Sequence, residues 1–171
     1  DVMSAHLGNG VHLYEHGVIS FCNQLANDCG VRTGMTVKEA ANLLLTVDSD
    51  ERAPSETTNR TIMHTSEDGR HIIATDSIAF GTDADTGKNV LVTAGHTGRS
   101  AVPYLLKCSP WGFICSDGGK GMDNSGIIGL SIVEKSGLAG ATVDAKLARM
   151  GSGLSHYYDG VITAVNLHAK S

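Results

Sequence analysis

Aromatic residues make up only 5% of this 171-residue chain, and proline occurs three times. No apolar run approaches the roughly 18 residues that a membrane span needs. No basic run is interleaved with the few aromatics, and the net charge is −5. A nucleic-acid surface and a membrane partner are therefore not expected. Three prolines against 21 glycines favour tight turns over disorder. No CxxC pair is present. The four cysteines, at 22, 29, 108 and 115, fall in two C-x6-C pairs, which suit neither a zinc knuckle nor a redox motif. They read as free, mostly buried thiols of a cytoplasmic protein. No GxGxxG follows a strand and no GxxxxGK[ST] occurs, so the nucleotide-binding signatures are missing too. The chain as given carries no signal peptide, and Asp1 is not an initiator residue, which leaves room for upstream sequence.

What is present begins with apolar residues at helical spacing. Val11, Tyr14, Val18, Phe21, Cys22 and Leu25 predict one helix over 11–27, stopped by Gly30. Thr36-Val37-Lys38-Glu39 is a capping box and opens a second helix over about 37–46. The stretch 47–59 is polar, carries a proline and has no period. After it the pattern changes. Strands are expected over 60–65 and 71–76 as a hairpin, then over 90–94, 112–115 and 138–143. Helices are expected over 100–107, 124–135 and 155–170, with Asp123 as an N-cap.

This alternation predicts an α/β fold of Rossmann-like character, a three-layer sandwich with a mostly parallel sheet, plus an N-terminal helical hairpin. The domain reading is an N-terminal helical arm (1–47), a linker (48–59) and an α/β core domain (60–171).

The chain's end resembles its beginning. Over 150–171, Gly151, Gly153, Tyr157, Gly160, Val161, Ile162, Asn166 and Ala169 match Gly8, Gly10, Tyr14, Gly17, Val18, Ile19, Asn23 and Ala26 without a gap. This internal repeat points to pseudo-symmetry within one chain or to equivalent docking in a homo-oligomer. A fragment of a longer tandem protein is a further implication.

Parallel strands collect their C-terminal ends on one edge, where α/β proteins build sites. That edge should hold Asp76 and Ser77, the turn Gly95-His96-Thr97-Gly98, the turn Cys115-Ser116-Asp117-Gly118-Gly119-Lys120-Gly121, and Asp144 with Lys146. His96 is the first candidate proton carrier, since imidazole titrates near neutrality. Asp117 could orient it or act as base, Lys120 could neutralise an anion, and Cys115 could be a nucleophile if its pKa were lowered. Gly95, Thr97, Gly98, Ser116, Gly118, Gly119 and Asp144 are the candidate substrate-binding residues.

Two short motifs resemble known ones. Val92-Thr93-Ala94-Gly95-His96 resembles the catalytic-histidine box of trypsin-like serine proteases, which implies a general-base role for His96. The GDSGG motif of that family is absent, and the chain after His96 is too short for its second barrel. His12-Leu13-Tyr14-Glu15-His16 is similar to the inverted zinc-protease motif HxxEH, which implies zinc on His12 and His16 with Glu15 as base.

The functional expectation is an enzyme acting on a small polar or anionic metabolite by hydrolysis or acid–base proton transfer, with hydrolysis favoured over isomerase or lyase chemistry and no organic cofactor. Two alternatives stand beside it. One is a non-catalytic ligand-binding or oligomeric assembly module. The other is a histidine-dependent metallohydrolase with a divalent metal such as zinc.

Overall fold

The computed structural model describes residues 1–46 and 59–169. The expected linker therefore lies outside the described residues, Asn59 excepted. Residues 1–46 carry three short helices, α1 (Gly10–His16), α2 (Gln24–Asp28) and α3 (Val37–Leu45). The single helix expected over 11–27 is broken at Gly17, which turns extended (φ −64°, ψ 143°). A Cβ at Gly17 would lie 2.3 Å from the Leu13 carbonyl oxygen, so the chain turns away tightly there. α3 starts where its capping box places it: Thr36 Oγ1 accepts from the Glu39 N–H, and Glu39 Oε2 accepts from the Thr36 N–H.

The core is one six-stranded sheet in the order β1 (Arg60–Thr65), β2 (His71–Thr75), β3 (Val90–His96), β4 (Gly112–Ser116), β5 (Ala139–Val143) and β6 (Ile162–Val165). β2 to β5 are parallel; β1 and β6 are antiparallel edges. The strands follow chain order, so right-handed crossovers place α4 (Val102–Cys108) and α5 (Gly129–Glu134) on the same face. That face holds the core: Ile73, Leu91, Phe113 and Cys115 pack with Leu105, Leu130 and Val133. Gly140 sits opposite Phe113 in the ladder, and a Cβ there would be 2.2 Å from the ring. The missing side chain lets the phenyl ring lie across β5.

The alternate residues, Ile72, Val92, Ile114 and Val143, point to the other face, beside His156 and Tyr157 of α6 (Gly153–Asp159). One seven-residue helix falls short of a full third layer. The sheet has no strand-order reversal, and so no topological switch point of the Rossmann kind. The helix expected over 155–170 ends at Gly160, and its second half becomes the edge strand β6. The helix expected over 124–135 shrinks to α5, because 122–128 coil through tight turns with Asp123 and Asn124 at positive φ. Among the described residues no helix is long and apolar enough to cross a membrane.

A buried ion pair fastens β1. Asp85, fully buried, accepts from Arg60 Nη2 at 2.8 Å, Asn89 Nδ2 at 3.0 Å and the Thr82 N–H at 2.8 Å. Burial works to raise its pKa. The hydrogen bonds from Arg60, Asn89 and Thr82 together outweigh it and hold the carboxyl below its ordinary value.

Candidate functional site

β3 delivers His96 to the C-terminal edge, level with Ser116 at the end of β4. The Gly98 N–H donates to His96 Nδ1 at 2.9 Å. Only glycine permits this approach, since a Cβ at 98 would sit 2.8 Å from the same nitrogen. A ring nitrogen that accepts carries no proton, so the neutral imidazole is the Nε2–H tautomer. Burial pushes the His96 pKa down, which favours that neutral form. His96 is thereby poised as a hydrogen-bond donor. Its only lone pair is already engaged, which argues against the general-base role that the protease-like box implies.

The glycine-rich loop after β4 is built around a different side chain. Leu7 of the N-terminal segment projects into a cradle of three glycines, its Cδ1 3.0 Å from where a Cβ would stand at Gly118 and Gly121 and 3.2 Å at Gly126. The segment is tied down by Ser125 Oγ, which accepts from the Leu7 N–H at 2.9 Å, by the Val2 carbonyl, which accepts from the Met122 N–H at 2.9 Å, and by His6 Nε2 against Asp123 Oδ2 at 2.8 Å. The N-terminal segment is thus one wall of the site. Between it and the sheet edge lies a cleft of about 380 Å³, lined by His6, Leu7, Asn9, Leu13, His96 and Ser100 among others.

The other expected residues have separate duties. Asp117 is 3% exposed, and its Oδ1 accepts from the Gly119 N–H at 2.8 Å and the Ala145 N–H at 3.0 Å, so it clamps two loops together. Ser116 Oγ accepts from the Gly118 N–H at 3.1 Å and donates to Met150 Sδ at 3.0 Å. The Thr97 hydroxyl is buried and turns back to the Ser116 carbonyl. Asp144 Oδ1 holds its own turn through the Lys146 N–H at 2.7 Å. Asp76 accepts from the Gly153 N–H at 2.8 Å and seats α6, while Ser77 caps the turn after β2. Gly95 is half-buried with open space beside its Cα, and Gly119 is exposed. Lys120 is exposed, at φ +63°, and forms no ion pair among the described residues. No hydrogen bond or ion pair joins the side chains of His96, Asp117, Lys120 and Asp144.

Cys115 points into the core instead of the edge. It is fully buried, bonded to Thr93 Oγ1 at 3.2 Å, and burial pushes its pKa up to about 11. It remains a thiol at neutral pH, which removes the basis for a nucleophile. His12 and His16 share a helix face as expected, but their rings pack against one another at 4.5 Å between centroids, and His12 stacks on His6 at 4.2 Å. His12 Nδ1 accepts from the His6 N–H. Partial burial, then the neighbouring His6 and His16, lower its pKa. Glu15 is exposed and lies 3.8 Å from His16. Among the described residues no three His, Cys, Asp or Glu side chains are grouped to hold a metal.

Sequence reasoning missed His6 and gave Asp123 the wrong duty. Asp123 stands at φ 53° and is not an N-cap, since Ile128 holds that place for α5, and its carboxylate holds His6. No local pattern marks that pair, because its partners lie 117 positions apart in the chain. No protein-family model matches the chain, no curated protein matches its sequence, and no solved structure matches its fold.

Proposed function

We propose that the cleft is the active site of an enzyme that moves a proton on a small, polar, anionic metabolite, in the manner of hydrolysis or of proton abstraction beside a carbonyl. One observation carries this reading: two histidines with complementary hydrogen-bonding states line the same cleft. His6 offers its Nε2–H to the Asp123 carboxylate, which leaves Nδ1 with a lone pair for a proton. His96 is held neutral with its proton on Nε2 and serves as donor to an oxygen on which negative charge develops. Asn9, from the N-terminal segment, and Ser100, from the turn after β3, also line the cleft. The reaction needs no organic cofactor, and the reading keeps a small-molecule substrate and a cytoplasmic setting.

Observing imidazole 1H–15N signals while adding malonate, citrate or phosphate tests this. His96 should show the neutral Nε2–H tautomer at pH 7, and the anion should shift both His96 and His6. A turnover screen over esters, amides and 2-oxo acids follows, in which His6→Ala and His96→Gln each abolish any activity found. Anion-induced shifts confined to the loop around Lys120, or turnover unchanged in both variants, would sink the assignment.

The assembly alternative has its own support. The glycine-rich loop that sequence reasoning offered to a substrate is occupied by Leu7, an apolar side chain from the repeated segment.

A further inference from the structure

Residues 1–26 and 144–169 agree far beyond the matched letters. The Asp1 ammonium donates to the Val18 carbonyl at 2.7 Å, and the Asp144 N–H donates to the Val161 carbonyl at 2.9 Å. Asp1 Oδ1 accepts from Met3, and Asp144 Oδ1 accepts from Lys146. Gly8 and Gly151 have φ of +73° and +79°. The N-caps Asn9 and Ser152 both have φ −126°, each opens a seven-residue helix, and Gly17 and Gly160 end those helices at φ −64° and −66°. Asn23 and Asn166 cap the next turn through Ala26 and Ala169. Even the bond from His6 N–H to His12 recurs, as Arg149 N–H to Ser155. Twenty-six residues carry one structural specification twice.

Only the second copy is seated on a sheet. There β6 pairs with β5, and Ala164 packs against the core. Asn166 is 4% exposed; its Nδ2 donates to the Leu138 carbonyl at 2.8 Å, and its Oδ1 accepts from the Gly140 N–H at 3.0 Å. The first copy has the same parts facing solvent. Phe21, at the place of Ala164, is 84% exposed; Leu13, at the place of the buried His156, is 44% exposed; Asn23 is exposed. Ile19 bonds to Met35 and Gly34 on one side, while the N–H groups of Ser20 and Cys22 make no backbone hydrogen bond among the described residues. Unpaired backbone N–H groups beside exposed apolar side chains make a surface on which a strand can pair.

We propose that the first copy closes the sheet of another α/β unit of this same fold, pairing Ser20–Asn23 antiparallel with that unit's equivalent of β5. The occupant is thus a unit whose last parallel strand has a free edge. An intact second copy of this chain does not qualify, since its own β6 already covers β5. The same partner accounts for a second exposed group. Leu7 reaches from the first copy into the glycine cradle of this unit, and Met150, its counterpart, is 51% exposed. By the same geometry Met150 enters the partner's cradle, so the two units close on each other about a pseudo-twofold axis. The cleft with His6 and His96 then lies at the seam. The inference stands on the repeat and holds whatever chemistry that cleft performs.

The test makes a free edge and asks what takes it. In the seated copy Ala141 lies opposite Val165, and Cys22 is the first-copy counterpart of Val165. The variant Asn166→Ala with Ala141→Cys unseats β6 and places a thiol on the exposed edge. Mixed with the unaltered chain and oxidised with diamide, it should give a dimer linked between positions 22 and 141, identified by peptide mass. Cys22→Ser in the unaltered chain should abolish that link, and Asn23→Ala should lower its yield about tenfold through the lost buried amide bonds. A folded variant that forms no dimer, or that links to Cys29 as readily as to Cys22, overturns the proposal. If circular dichroism shows that Asn166→Ala does not fold, Ala141→Cys alone reads the same pairing through exchange of β6, with the same two outcomes.

Discussion

Two adjacent glycines allow the packing at the cradle to be weighed separately from backbone strain. Gly118 and Gly119 have φ of +60° and +69°, so an alanine at either position incurs a similar strain of about 1–2 kcal/mol. Both also gain a similar few tenths of a kcal/mol, up to about 1, from a stiffer unfolded chain. The surroundings differ. A Cβ at 118 would lie 2.9 Å from His96 Cβ and 3.0 Å from Leu7 Cδ1, whereas nothing stands within 4 Å at 119. His96 Cβ is fixed to the backbone of β3 and cannot step aside, so overpacking adds about 1–3 kcal/mol at 118 alone. Gly118→Ala should therefore be less stable than Gly119→Ala by about 2 kcal/mol, or roughly 4–8 °C in Tm for a chain of this size. Urea unfolding of both variants measures the difference, in which strain and entropy cancel. Only Gly118→Ala should also move the His96 imidazole signals. A difference below about 0.5 kcal/mol, or equal effects on His96, would refute the cradle geometry.

Other outcomes follow from single contacts. Asp85→Asn should cost about 3 kcal/mol, because it breaks a buried ion pair and leaves the Arg60 guanidinium poorly matched. The folded pKa of Asp85 lies below its unfolded value near 4, so its contribution is present above about pH 4 and is lost as the pH falls through the folded value; Asp85→Asn should flatten that acid limb in a pH series of denaturant midpoints. His96 works in the opposite sense. Its folded pKa is depressed, so the unfolded chain binds the extra proton as the pH drops below about 6.5, and stability falls there; His96→Gln should remove that part of the slope. Cys115 should resist alkylation at pH 8 in the native state while Cys22 and Cys29 react, and should become reactive only on unfolding. Labelling of Cys115 at the rate of Cys22 in folded protein would contradict its burial.

Much of the fold was legible because its signals are local. The capping box of α3, the hairpin around Ser66–Arg70 and the apolar runs of β3, β4 and β5 each announce themselves within a few residues. The errors cluster where a helical period continues through a glycine. A helix is expected to run through Gly17 in 11–27 and through Gly160 in 155–170, yet both glycines turn extended: past Gly160 the chain becomes the edge strand β6, and past Gly17 it bonds to Gly34 and Met35. The geometry of the candidate site was half legible. The edge position of His96 follows from strand and turn. The engagement of its Nδ1 by Gly98, the loss of Cys115 into the core and the His6–Asp123 pair depend on which way each strand's side chains face and on contacts between distant segments.

By itself the sequence determined the α/β class, the positions of β1 to β5, the edge to which His96 is delivered, and the likeness of the two ends. These rest on period, turn chemistry and self-similarity, which act over a few residues or are read directly. Tertiary structure alone decided that the glycine loop encloses Leu7, that the cleft is walled by the N-terminal segment, and that one copy of the repeated element is seated while the other is not. Those outcomes depend on which surfaces meet, and a side chain's role at such a meeting is set by partners a hundred or more positions away.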